Sequence, residues 1–197
     1  ENSKHHFQMS DVILAIAGFI NCASALIQGA HYYRNAKADD TVPGLMHVDF
    51  GGYFPKDLKF VAAFEANKHK IGKDIADAIW VKPNCCAKFA PDLPKTGTKV
   101  LPGPISDGVA PHMRESFFAY DENEIEPVDV AEELKKTNAD MLVSYLPVGS
   151  ADGSRLYAKA ALEAEIGFIN AIPEFIVSDP NSPIAQGFEK KGLPCAG

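Results

Sequence analysis

The sequence predicts an α/β fold with a doubly wound parallel sheet, on three observations. Short apolar runs alternate with longer helix-forming stretches along the chain, which is the pattern of strands joined by crossover helices. The first run, Val12 to Ala17, is apolar without interruption, as in strands buried on both faces of a parallel sheet. That run passes through Gly18 directly into a helix start. The 197 residues show no internal repeat and no second domain.

The elements follow in order. A strand over 12–17 leads to a helix over 22–34, whose small residues Ala23, Ser24, Ala25 and Gly29 suit close packing on a sheet. Residues 35–57 form a connection rich in glycine and proline, far longer than an ordinary crossover loop and read as functional. Leu58 to Phe64 is the second strand, ending at the acid Glu65. A helix over 70–79 runs into a proline-punctuated segment, and Lys99-Val100-Leu101 is a short strand. Residues 121–126 read as a solvated acidic face, and Pro127 as the first-turn residue of a helix reaching Thr137. A strand over 141–144, a helix over 152–165, a strand over 168–170 and a helix over 183–191 complete the pattern, with a last strand beginning near Leu193.

Composition excludes several classes. A formal net charge of -7 argues against a nucleic-acid partner or an anionic membrane surface. The longest apolar run, Val12 to Ile20, is too short to span a bilayer. The start, with His5-His6, reads as a tag or disordered start over residues 1–10, leaving 11–197 as the domain and Met9 as a native start. Cys22, Cys85, Cys86 and Cys195 have neither zinc-ligand nor disulfide-framework spacing, and a reducing cytoplasm fits them best. The single histidines show no metal-ligand spacing, so no metal is expected. Ser106, Asp107 and His112 lie close in sequence, but no serine has the surroundings of a nucleophile elbow.

The strand, Gly18 and helix start match the turn that holds a dinucleotide pyrophosphate on helix amides. They serve equally as an ordinary strand-to-helix connection. The pattern reads Gly18-x-Ile20-x-x-Ala23, with isoleucine where a second glycine lets backbone approach phosphate. Ile20 is therefore expected to obstruct phosphates or to force an unfavourable backbone. Glu65, at a strand end, suits ribose hydroxyls or plain solvation. Ser144 to Gly149 and Asn170 to Pro173 close strands at the edge where open α/β sheets bind ligands, or simply turn.

A series of blocks resembles the prokaryotic-type inositol-3-phosphate (myo-inositol-1-phosphate) synthases, in family order over nearly all of residues 11–197. They include Asn21-Cys22-Ala23-Ser24-Ala25-Leu26, Thr41-Val42-Pro43-Gly44-Leu45-Met46-His47-Val48, Asp74-Ile75-Ala76-Asp77-Ala78-Ile79, Val143-Ser144-Tyr145-Leu146-Pro147-Val148-Gly149-Ser150 and Phe168-Ile169-Asn170-Ala171-Ile172-Pro173. The resemblance implies a Rossmann-like NAD-binding part of an isomerase of inositol and phospholipid biosynthesis. That family oxidises glucose 6-phosphate at C5 with tightly held NAD, closes the ring through an enolate and reduces the product, with cationic lysines stabilising the charge that develops. It further implies Gly18, Asn21 and Cys22 on the pyrophosphate and Glu65 on the adenosine ribose. Asp74, Ser144, Tyr145, Leu146, Pro147 and Tyr157 would line the groove, with Asn170 near the nicotinamide. The family continues past the position of Gly197 into a catalytic, oligomer-forming domain that these residues lack. No catalytic residue is therefore assigned here, the part is expected to be inactive alone, and glucose 6-phosphate binding and any homo-oligomer depend on that absent domain. Two other readings stay open: a dinucleotide-binding module without turnover, and a scaffold that lost the cofactor.

Overall fold

Strand β1 (Val12–Ala17) is apolar throughout because it lies at the centre of the sheet. The computed structural model describes residues 11–197, so the expectation for residues 1–10 lies outside it. The other strands are β2 (Leu58–Glu65), β3 (Val100–Pro102), β4 (Met141–Ser144), β5 (Gly167–Asn170) and β6 (Cys195–Ala196). All neighbours pair parallel, in the order β3-β2-β1-β4-β5-β6. The chain winds outward from β1 in one direction, returns, and winds outward in the other. The switch point falls between β1 and β4, where Rossmann-like folds open a crevice at the carboxyl edge.

Helices cover both faces. The pleat sends Ala15 and Ala17 of β1, Ala62 and Phe64 of β2, Leu142 and Phe168 to one side, against α3 (Val130–Lys136), α4 (Ala151–Glu163) and α5 (Pro183–Lys191). Ile16 and Ala63 point to the other side, against α1 (Asn21–Tyr32) and α2 (Ile75–Ala78). Helix α5 has the expected ends: Pro183 at its first turn, a Ser182 cap on the Ala185 amide, and Gly192 at φ 65°.

The structure corrects three readings of local sequence. The helix expected over 70–79 shrinks to α2, because residues 72–75 bond alongside 98–100: Gly72 N–H reaches Val100 C=O and Ile75 N–H reaches Thr98 C=O. Pro127 does not open α3; the next residue, Val128, bonds to Pro102 C=O, and Asp129 caps the helix by accepting from Glu132 N–H. On α1 the buried stripe is Ala23, Ser24, Ile27 and Gln28, while Ala25 is exposed and lines an apolar groove with Gly29.

The 35–57 connection builds the opposite wall of that groove with Leu45, His47, Val48, Phe50 and Tyr53. None of its residues lines the cleft at the carboxyl edge. Among the described residues no helix is long and apolar enough to cross a membrane.

Candidate functional site

At the end of β1 the chain must turn sharply, because the backbone of β4 leaves the sheet beside it. Tyr145 N–H bonds Ala17 C=O at 2.7 Å, and Gly18 takes φ 80°. A Cβ at Gly18 would lie 2.6 Å from the Tyr145 carbonyl oxygen. Glycine at this position is therefore required by the junction of β1 with β4, before any ligand is considered.

Beside this turn a narrow cleft opens to solvent. It is lined by Gly18, Ile20, Glu65, Lys70, Leu146 and Tyr157 among others. It runs across the carboxyl ends of β1 and β2 and takes further walls from the loops after β3 and β4. Ile20, the residue before α1, has a negative φ of −117°. It lines the cleft beside Gly18.

Helix α1 starts without a side-chain cap and without an acid in its first turn. Among the described residues the amides of Ile20, Asn21 and Cys22 donate to no partner, while the Asn21 carboxamide oxygen accepts from Cys85 N–H at 2.8 Å. The other helices differ. Asp74, Asp129 and Ser182 cap α2, α3 and α5. Asp107, from the loop after β3, reaches across to accept from Asp152 N–H (2.8 Å) and Gly153 N–H (2.7 Å) at the start of α4. The protein's own carboxylate thus fills the anion position of α4 and leaves that of α1 open. Held there, Asp107 is committed away from any triad with His112.

The residues singled out in the sequence divide by place. Gly18, Glu65, Leu146, Pro147 and Tyr157 line the cleft. Asn21 and Cys22 are exposed at the first turn of α1. Tyr145 packs against the cluster that holds α1, its phenol pushed up by burial and then by Cys22 nearby. Ser144 and Asn170 are register neighbours at the carboxyl ends of β4 and β5. Both are buried, and the Ser144 hydroxyl and the Asn170 carboxamide oxygen have no hydrogen-bond partner. Asp74 stands apart: it pairs with Lys99 ahead of β3, and its carboxylate accepts from the amides of Ala76, Thr96 and Gly97.

Glu65 is more committed than a ribose ligand would be. Its oxygens accept from Phe19 N–H (3.0 Å), Ala66 N–H (2.7 Å) and Asn67 N–H (3.2 Å). A carboxylate has about four acceptor positions, which leaves room for one hydroxyl and not for a vicinal pair. Lys70, which the sequence had placed at a helix start, is instead buried in the cleft wall with its ammonium 3.9 Å from Glu65. No local signal marks it, since its partner Phe19 lies 51 positions away.

The carboxylates that hold these loops set the response to acid. Burial works to raise the Asp107 carboxyl, but the amides of Gly153 and Asp152 outweigh it and hold it below the usual range. Asp74 is held low in the same way, by Ala76, Gly97 and Thr96. A depressed folded-state value stabilises in full above the unfolded value, about 3.9, and the stabilisation is lost as pH falls through the folded values. Unfolding free energy is thus expected to hold from about pH 8 to 5 and to drop below about pH 4. Asp107→Ala is expected to cost about 1 kcal/mol at neutral pH and to flatten part of the acid slope in urea titrations, and an unchanged slope would contradict this.

Switch point, glycine turn and open helix end together define a Rossmann-like α/β protein with its crevice in the usual place. No family model matches the chain. It is 50% identical over 188 residues to the inositol-3-phosphate synthase of Corynebacterium glutamicum, a match that covers 95% of this chain and 50% of that protein. The inositol-3-phosphate synthase of Mycolicibacterium smegmatis is 46% identical over 187 residues, with the same shares covered. Among solved structures, that of Ari2 superposes with a TM-score of 0.78 at 33% identity, over 95% of this chain and 52% of that one. A myo-inositol-1-phosphate synthase-related protein from Thermotoga maritima superposes at 0.68 and 18% identity over 94% of this chain and 53% of its own, which speaks to the fold alone. The chain is therefore a relative of the inositol-3-phosphate synthases, and it spans about half the length of those it matches.

Proposed function

We propose that this chain is the NAD-binding part of an inositol-3-phosphate synthase-type isomerase, inactive by itself. The observation that carries the reading is the start of α1, the helix whose N-terminal amides face the switch point with no side-chain oxygen on them. A pyrophosphate there would receive the Ile20, Asn21 and Cys22 amides and the positive end of the helix dipole. Gly18 would let the turn lie low beneath it, and Leu146, Pro147 and Tyr157 would wall the cleft against water. The unpartnered Ser144 hydroxyl and Asn170 oxygen fit a polar ligand group at the β4–β5 end of the same edge. NAD, when bound, would supply hydride removal and return, leaving no net redox change. On this reading, glucose 6-phosphate, turnover and assembly into a homo-oligomer need the other half of the relatives' length, and the setting is cytoplasmic, with no membrane or nucleic-acid partner.

One observation favours a second reading, a scaffold that kept the sheet and lost the cofactor: isoleucine, not glycine, lines the cleft at position 20, next to the open amides. The two readings separate by whether the wild-type chain binds NAD, and substitution tests the steric cause. Ile20→Gly should tighten NAD binding by about three- to tenfold in calorimetry, because it clears the approach to the helix end. Unchanged or weaker affinity in the variant would sink the steric argument.

A further inference from the structure

Resting on the cofactor reading above, we propose that Lys70 and Glu65 form a clamp on the Phe19 backbone that sets the α1 turn for the dinucleotide, making Lys70 a positioning residue for cofactor affinity. The Phe19 N–H donates to Glu65 Oε2 at 3.0 Å, and the Phe19 carbonyl accepts from Lys70 Nζ at 2.6 Å. Both backbone polar groups of Phe19, which belong to the peptides on either side of its Cα, are thus held by the two halves of one ion pair, 3.9 Å apart. The grip fixes both peptide planes, and the second of them carries the Ile20 N–H, the first open donor of α1, with the Asn21 amide next along the chain.

The charges are deeply placed. Lys70 is 1% exposed and Glu65 8%. Burial pushes the Lys70 ammonium down from its ordinary value, and Glu65 pulls it back only in part. A turn at a strand end does not need a buried ammonium, whose desolvation is costly. Two things are gained here by having one. The Phe19–Ile20 peptide is anchored by its carbonyl, which fixes the direction of the Ile20 N–H opposite to it. The Glu65 charge, which alone would repel a pyrophosphate near Gly18, is compensated within the cleft wall. Lys70 is itself seated by the loop after β2, where its own N–H bonds Asn67 C=O and Gly72 N–H bonds Val100 C=O. The clamp therefore ties the β1 turn to the flank of β3, which no contact of Phe19 with its own neighbours could do.

The test compares the wild-type chain, Lys70→Met, and the double variant Lys70→Met/Glu65→Gln in three measurements: thermal unfolding, NAD calorimetry, and amide hydrogen exchange by NMR without ligand. The single variant leaves a buried carboxylate unpaired and should melt well below the wild type. The double variant replaces the pair by neutral side chains and should regain most of that loss, yet bind NAD about tenfold more weakly, the size of one charge-assisted hydrogen bond. Its Phe19 amide should exchange about tenfold faster, while Ile16 and Val143 in the sheet keep their protection. A merely structural role would instead lower all of these together. If the double variant does not regain stability, Glu65→Gln alone keeps an acceptor for Ala66 and Asn67, loses that of Phe19, and carries the same two arms.

NAD affinity within about twofold of the wild type, or unchanged Phe19 protection, would overturn the proposal. If the wild type binds no NAD, the cofactor reading fails. The exchange arm needs no ligand, so it then decides the clamp: lost Phe19 protection supports it and retained protection overturns it.

Discussion

Gly18→Ala is expected to lower the unfolding free energy by about 3–5 kcal/mol, the sum of a left-handed backbone imposed on an L-residue and an overpacked contact. The clash is with backbone and cannot be absorbed by a rotamer change. The new methyl would lie 2.6 Å from the Tyr145 carbonyl oxygen, 2.7 Å from its carbon and 2.8 Å from the Leu146 nitrogen. Relief requires β4 to part from β1 at the Tyr145–Ala17 hydrogen bond, which is the switch point itself. Against a domain stability of about 5–15 kcal/mol, such a loss is large enough to show in expression as well as in urea unfolding. A loss under about 1 kcal/mol would mean that the two strand ends are not packed as described.

Gly103→Ala should be costly for a different reason, by about 3 kcal/mol. No backbone strain enters here; the cost is entirely one of space. A Cβ at Gly103 would collide with the Tyr157 hydroxyl and lie 2.9 Å from Phe64 Cβ and 3.3 Å from the Glu65 nitrogen. Tyr157 cannot retreat, being a buried residue of α4 itself, packed into the core. Its phenol is raised far above the ordinary value, first by burial and then by the charges of Glu65 and Tyr120, so the hydroxyl stays protonated and in place. The double variant Gly103→Ala/Tyr157→Phe removes the worst contact and should recover about half of the loss in a double-mutant cycle. Simple additivity of the two substitutions would contradict the packing.

Much of this architecture was legible because its signals are local. The apolar run 12–17, bounded by Gly18, and the 183–191 segment, bounded by Pro183 and Gly192, coincide with β1 and α5 as observed. The segment 70–79 was misread because its helical composition is overridden by bonding of residues 72–75 to 98–100, a contact no window along the chain contains. Pro127 was read by a sound rule in the wrong place, since Asp129 supplies the stronger helix start two residues on.

The site followed the same division. Gly18, Leu146 and Pro147, which the resemblance names, line the cleft. The commitment of Glu65 to the Phe19 amide spans 46 positions, as does the reach of Asp107 to Gly153. Side chains that serve backbone so far away leave no spacing to read. Their effect is to decide which helix end stays open, and that is the basis of the functional reading.

The measurement that tests the central claim most directly is a calorimetric titration of the folded wild-type chain with NAD. The account predicts saturable binding at one site, accompanied by shifts of the Ile20, Asn21 and Cys22 amide resonances. Absence of heat and of those shifts, with the sheet amides showing an intact fold, would contradict it and leave the scaffold reading in its place.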